Sequence, residues 1–268
     1  MRFEIDPVDA MLGAHGFSGP WTVLNATGLA NRIYATDSVV VRVATDHPDA
    51  VPDARTESVA APVAHEAGVR TPRLLAFDDS RVLVNRPFSI WERVHGETLG
   101  SARLTALQRK TAWYEVGQEL AVLHRRVRVC PDPCGYLDTP GYQLDLVPTV
   151  ERLVEVGAAS PELAREILLL IEDLAPHVSV TDHERCFVHN DLHAMNVMCT
   201  RAGALLALID WGDAGWGDPA LAFAAVPLQN DVRVVRRLRR GEPNQARLVS
   251  RSAHRLDPAA RCDGCRDR

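Results

Sequence analysis

Lysine is all but missing from this sequence: Lys110 is the only one in 268 residues, and every other basic side chain is an arginine. Any site that needs a fixed cation must therefore use arginine. Strong charge of one sign is missing too. The formal net charge is -5, which excludes a surface built to attract nucleic acid or an anionic membrane over its whole extent. No apolar run approaches the ~20 residues that span a bilayer; the longest, Ala202 to Ile209 and Ala220 to Leu228, have the length of core elements. The opening Met1 to Asp6 has neither a basic nor an apolar signal region, so no export is expected. The six cysteines are scattered without a framework spacing, and reduced thiols in the cytoplasm are the expectation. What is present, 46% hydrophobic and 24% charged residues, is the composition of a soluble globular protein with a substantial core.

Two periodicities divide the chain. Before Gly96 the pattern is β-rich: Trp21 to Thr27, Arg32 to Thr36 and Val39 to Ala44 read as strands around the turns at Gly28 and Asp37-Ser38. A loop containing Pro48 and Pro52 leads to a helix over Ala54 to Ala67, closed by Gly68. Strands are then expected at Leu74 to Phe77, Arg81 to Val84 and Phe88 to Val94. After Gly96 the spacing becomes helical. Leu104, Leu107, Val116, Leu120 and Leu123 mark a long helix over Leu104 to Val127. Two more follow at Val147 to Val156 and Pro161 to Leu174, the latter capped by Ser160. Short strands return at Cys186 to Val188, Val197 to Cys199 and Ala204 to Ile209. The expected organisation is an α+β chain with a β-rich lobe over residues 1–95 and a mostly helical lobe over 96–231. Residues 232–268 are arginine-rich, poor in large apolar side chains, and end in Cys262-Asp263-Gly264-Cys265. They read as a solvated or disordered end, with a basic binding tail or an altered reading frame as alternatives; a single CxxC lacks the other two ligands of a structural zinc.

The chemistry concentrates in His189-Asn190-Asp191-Leu192-His193-Ala194-Met195-Asn196 and in Leu208-Ile209-Asp210-Trp211-Gly212. Phosphoryl transfer to an alcohol needs a carboxylate to orient the hydroxyl and accept its proton, and cations to neutralise phosphate oxygens. A loop leaving a buried strand can place Asp191 against the acceptor, with the amide oxygen of Asn196 toward Mg²⁺. Asp210, at the end of a neighbouring apolar strand, can reach the same cation.

These segments, His189-x-Asp191-x-x-x-x-Asn196 followed by Asp210-x-Gly212 and Asp213 to Ala220, resemble the aminoglycoside phosphotransferase and choline kinase family, a branch of the protein-kinase-like fold. The resemblance implies a bilobal fold, ATP and Mg²⁺ as cofactors, and a small-molecule hydroxyl as acceptor. It makes Asp191 the catalytic residue and Asn196 and Asp210 the metal ligands. Upstream, Gly28 to Tyr34 resembles the nucleotide loop, with Gly28 and Asn31 in it. Arg42 takes the place of the basic residue on the α- and β-phosphates, against the alternative of an outward-facing strand arginine. Glu57 matches its helix partner, with Glu66 as competitor. Ile90 to Gly96 resembles the hinge that meets adenine, through the backbone at Glu92 and Val94. His189, His193 and His124 read as packing residues, His193 with a second role near substrate. The likeness extends from about Asn25 to Ala224.

The sequence also departs from the family. Asn190 stands where glycine is usual, a position asparagine tolerates because it accepts left-handed backbone. Met195, also at a frequent glycine, is a candidate for the acceptor side. Ala222 replaces a structural aspartate. The acidic groups of an acceptor pocket have to come from residues such as Asp145, Glu151, Asp213 or Asp218. An aminoglycoside-type antibiotic is the leading acceptor, with a macrolide, choline, homoserine or a sugar as alternatives. A nucleotide-binding pseudokinase is a second reading. A metal-dependent hydrolase using His189, Asp191 and His193 is a third, but it leaves Asp210-Trp211-Gly212 and the β-rich region unexplained.

Overall fold

The computed structural model describes residues 7–24, 28–137, 146–174, 185–217, 219 and 222. The arginine-rich end expected at 232–268, like Asp145 and Asp218, lies outside them. The chain divides into two compact units, one comprising Met1–Thr139 with Glu184–Arg268 and the other Pro140–His183. The lobe boundary expected at residue 95 falls in the short connection after the fifth strand described below.

In the first unit, β1 (Thr22–Leu24), β2 (Asn31–Ala35), β3 (Val39–Ala44), β4 (Leu74–Asp78) and β5 (Phe88–Glu92) form an antiparallel sheet. Their spatial order is β1-β2-β3-β5-β4. Alternation along β3 assigns its faces. Val39 and Val41 join Phe88 and Ile90 under α1 (Pro7–Ala14), which contributes Val8, Met11 and Leu12. Val40 and Arg42 point the other way, toward α2 (Ala50–Glu66), whose Ala60, Ala61 and Ala64 are fully buried. Small side chains on this helix face bring its backbone close to the sheet, and Arg42 is carried on that inner face.

The helix expected from Ala54 begins four residues earlier, at Ala50. Pro52 sits in its first turn, where a missing N–H has no partner to lose, so the proline does not prolong the loop. Gly68, with φ +89, ends the helix as expected. The strand expected at Arg81 to Val84 is a series of bends: Arg81 has φ +61, a conformation that extended pairing does not use, and Val82 is exposed. The fifth strand stops at Glu92 rather than Val94.

Next come β6 (Glu97–Thr98) and α3 (Ala106–Arg126). The helix starts in a capping box: the Gln108 N–H donates to Thr105 Oγ1 at 3.3 Å, and the Thr105 N–H donates to Gln108 Oε1 at 2.8 Å. Leu104 therefore precedes the helix. Ala112, Val116, Leu120 and Leu123 form its buried stripe. Against it lie β7 (Cys186–Val188), β8 (Val197–Cys199), β9 (Leu205–Leu208) and β10 (Gly215–Gly217), arranged as a β6-β8-β9 sheet and a β7-β10 pair. Arg70 fastens these parts together. Its Nε donates to Glu119 at 2.7 Å, its Nη1 donates to Glu115 and to the Leu205 carbonyl, both at 3.0 Å, and its own carbonyl accepts the Leu208 N–H at 2.8 Å. The end of β9 is thus held against α3.

The second unit contains α4 (Leu146–Glu155) and α5 (Pro161–Leu174). Ser160 caps α5 through its Oγ, which accepts the Leu163 N–H at 3.2 Å. Among the described residues no helix is long and apolar enough to cross a membrane.

Candidate active site

Three short connections of the first unit meet around Asp191. The loop after β7 carries His189 to His193, a turn of 3₁₀ helix spans Ala194–Asn196, and Ile209 to Asp213 follow β9. Antiparallel pairing sets Val197 opposite Leu208, and the Ile209 N–H donates to the Asn196 carbonyl at 3.0 Å. Asn196 and Asp210 therefore leave adjacent strand ends, the arrangement their sequence context predicts.

Asn196 is buried and fixes Asp191. Its amide nitrogen donates to the Asp191 carbonyl at 2.8 Å and to Oδ2 of the same residue at 2.9 Å. His193 caps the 3₁₀ turn: its Nδ1 accepts the Met195 N–H at 3.1 Å, so its proton sits on Nε2, 3.5 Å from Asp191 Oδ2. The Asp191 carboxyl is half-buried. Burial raises its pKa, with Asp210 adding to the effect and His193 opposing it.

Arg42 reaches this loop from the sheet. Nη1 lies 2.5 Å from Glu57 Oε1 on α2, and Nη2 lies 2.7 Å from Asp210 Oδ1. The same Glu57 oxygen accepts the Trp211 N–H at 3.4 Å. Burial works to lower the Arg42 pKa, but Glu57 and Asp210 outweigh it and hold it above the normal value. Glu57 is pushed up to about 7 by burial, against the pull of Arg42. Asp210 stays low despite burial because Arg42 favours its ionised form. Glu66 ends α2 and has no bond to Arg42. The fork of a guanidinium allows one side chain to bind two carboxylates at once.

Trp211 anchors the loop from below. It is fully buried, donates Nε1–H to Thr71 Oγ1 at 3.0 Å, and packs on His189 with ring centroids 4.5 Å apart. The buried His189 ring is held neutral, with burial lowering its pKa to about 4; its Nε2 donates to the Ile209 carbonyl at 3.1 Å. Gly212 is required by contact rather than by φ: a Cβ there would lie 2.7 Å from Asp53 Cβ on α2. Asp53 thereby overhangs the loop. Burial, together with Asp213 and Asp210, raises its carboxyl pKa to about 6. Asp213 is raised by burial, then by Asp191 and Asp210.

The other expected residues are placed less tightly. Gly28 lies in the connection before β2, and a Cβ there would meet nothing within 4 Å. Asn31 opens β2 opposite Ala44, and the Thr45 hydroxyl donates to the Leu29 carbonyl at 2.6 Å. Glu92 ends β5 with its N–H donated to the Arg73 carbonyl at 2.9 Å, and Val94 follows in the connection to β6. The sulfur of Met195 packs where a side chain on Gly100 would stand, and it accepts the Thr98 hydroxyl at 3.6 Å. Ala222 is buried in the main core, and Glu151 lies exposed on α4. Sequence reasoning missed Asp53, four residues before Glu57 and so on the same helix face. It also missed the Arg42–Asp210 bond, for which no local pattern exists.

Among the described residues no three His, Cys, Asp or Glu side chains converge as a self-contained cation site. Asn196, Asp210 and phosphate oxygens together are the donor set magnesium accepts. The Nε of Arg42 is buried and has no hydrogen-bond acceptor among the described residues, which fits a guanidinium that receives an anion. A separate cavity of about 450 Å³ beside Trp21, Tyr34 and Val43 opens on the sheet face opposite Arg42.

The fold is protein-kinase-like. An aminoglycoside 2'-phosphotransferase-IIIa variant solved with GDP superposes with a TM-score of 0.65 at 16% identity, over 92% of this chain and 84% of that one. A choline/ethanolamine kinase family protein from Mesorhizobium loti gives 0.59 at 19% identity, over 91% and 79%. A ternary complex of an aminoglycoside 2''-phosphotransferase-IIa with streptomycin and ATP gives 0.55 at 18%, over 83% and 75%. Among curated proteins, none matches the sequence significantly. A profile of the phosphotransferase enzyme family matches residues 22–260, and the chain belongs to that family.

Proposed function

We propose that this chain transfers the γ-phosphate of ATP to a hydroxyl of a small molecule, most specifically an aminoglycoside-type antibiotic, with Asp191 as the catalytic residue. The observation that carries the reading is the Asp191–Asn196 pair, beside a strand end whose Asp210 is bonded to Arg42. Asp191 orients the acceptor hydroxyl and takes its proton as the new oxygen–phosphorus bond forms and the bond from the γ-phosphorus to the bridging oxygen breaks, releasing ADP. With its nitrogen engaged on Asp191, Asn196 has its amide oxygen left for a cation, and Asp210 offers a carboxylate to the same ion. Bound Mg·ATP supplies the transferable phosphoryl group and the neutralisation of its charge. Arg42, oriented by Glu57, holds the phosphates. Gly28 in the connection before β2 and Asn31 at the start of β2 lie over them, and the backbone at Glu92 and Val94 meets the adenine. Asp53, Asp191, Asp210 and Asp213 crowd negative charge around the centre, which favours a cationic acceptor over an anionic one.

The test is ATP consumption with Mg²⁺ across aminoglycosides, macrolides and small alcohols, with product mass measured. Transfer to an aminoglycoside, abolished in Asp191→Asn, is the expected result. Transfer to another alcohol alone would correct the acceptor. Nucleotide binding with no turnover on any acceptor would replace the reading by that of a pseudokinase.

A further inference from the structure

Asn190 is one residue from the catalytic position, and it carries two local burdens. Its φ is +63, in the left-handed region that glycine occupies freely. Its Oδ1 is buried with no hydrogen-bond donor among the described residues. Glycine would remove both, so stability alone gives no reason for asparagine here.

The gain lies in its other amide atom. Strands β7 and β10 pair through Val188 and Gly215. Two residues beyond that rung on each side stand Asn190 and Asp213, and Nδ2 of Asn190 donates to the Asp213 carbonyl at 2.9 Å. The side chain thus adds a rung where the backbone ladder has ended. On one side of it is Asp191, with its N–H bonded back to the His189 carbonyl at 2.9 Å; on the other is the segment Asp210 to Asp213. We infer that Asn190 is a positioning residue, a tether that fixes the Asp191 loop against the Asp210 loop and so sets the separation of the two carboxylates. The inference rests on the proposed kinase reading for its effect on rate, but the tether itself does not depend on that reading.

Asn190→Gly is the informative variant, because glycine keeps the left-handed backbone conformation while it removes the bond to Asp213 together with the two burdens. Three measurements separate positioning from support: steady-state ATP turnover with an acceptor or water, thermal unfolding, and amide hydrogen exchange. The expected result is kcat about tenfold lower with KM for ATP within twofold, since misplacement of reacting groups acts on the chemical step. Tm should stay level or rise, and exchange should quicken in residues 189–193 and 210–214 but not in α3. A fall in Tm with kcat unchanged would make Asn190 merely structural and overturn the inference. Unchanged exchange in both loops would overturn it as well. If the wild-type chain turns over no ATP, the kinase reading fails, and hydrogen exchange still decides whether the tether exists.

Discussion

Asp210 Oδ1 lies 2.7 Å from Arg42 Nη2, so a single ion pair joins the central strand of the β-sheet to the loop after β9. The same guanidinium holds Glu57, whose side chain is only 6% exposed. Two carboxylates and one cation therefore form the junction on which the proposed nucleotide site depends.

Removing the cation should expose that dependence. Arg42→Met leaves the buried Glu57 carboxylate uncompensated, and a loss of roughly 3–5 kcal/mol in urea unfolding is expected. Arg42→Met combined with Glu57→Met should recover most of it. Arg42→Lys keeps the charge but not the fork, so it should fold while raising KM for ATP about tenfold. Equal KM values for wild type and Arg42→Lys would show that the two-carboxylate bridge has no bearing on nucleotide binding.

Asp191→Asn removes the proposed proton acceptor while keeping the shape. The expected drop in kcat is about 10²–10⁴-fold, the usual contribution of a positioned base. Nucleotide affinity, measured by calorimetry, should change little. Retention of a tenth or more of wild-type kcat would exclude Asp191 as the base.

Gly212→Ala tests packing rather than chemistry. The new Cβ would lie 2.7 Å from Asp53 Cβ and 3.2 Å from its Cα, neither of which can swing aside. Overpacking of this kind costs about 1–3 kcal/mol. Chemical denaturation should show that loss, and the forced shift of α2 should weaken nucleotide binding together with it.

Two buried histidines predict acid sensitivity. Burial holds His124 and His189 at about 4, below the 6.5 of an exposed imidazole. A depressed folded-state value means their stabilising effect is complete above pH 6.5 and is lost as pH falls toward 4. At pH 5 the loss is roughly 2 kcal/mol per histidine. Asp53, raised to about 6 by burial and neighbouring carboxylates, works in the opposite direction over the same window. The difference in Tm between wild type and His124→Leu across pH 7.5 to 4.5 isolates one histidine. A pH-independent difference would mean that His124 is not held neutral.

What could be read from the sequence follows how local the physics is. The helix over residues 161–174 was legible in full, because Ser160, Pro161 and an amphipathic spacing all act within a few residues of one another. Asp191, Asn196 and Asp210 were legible as a set through their order along the chain. The segment Arg81 to Val84 has strand-like composition, yet no strand among the described residues pairs with it, and a left-handed Arg81 turns it away. The short strands β6 and β10 are not legible, since Glu97-Thr98 and Gly215-Trp216-Gly217 lack a β-branched apolar residue such as marks Val197 to Cys199; their partners create them. Asn190 was read as a tolerated replacement for glycine, whereas its bond to Asp213 needs a neighbour 23 residues away. Long-range partners of this kind leave no trace in spacing.

The span between Arg42 and Asp210 has a consequence for how the chain is made. The two partners are 168 positions apart, so at ~5–20 residues per second Arg42 is added to the growing chain roughly 8–34 seconds before Asp210. During that interval the nascent sheet holds its guanidinium with one of its two carboxylates missing. A chain cut short anywhere before residue 210 would keep that vacancy permanently, with Trp211 and its bond to Glu57 also absent. Premature termination should therefore yield products that quality-control proteases remove, rather than nucleotide-binding fragments.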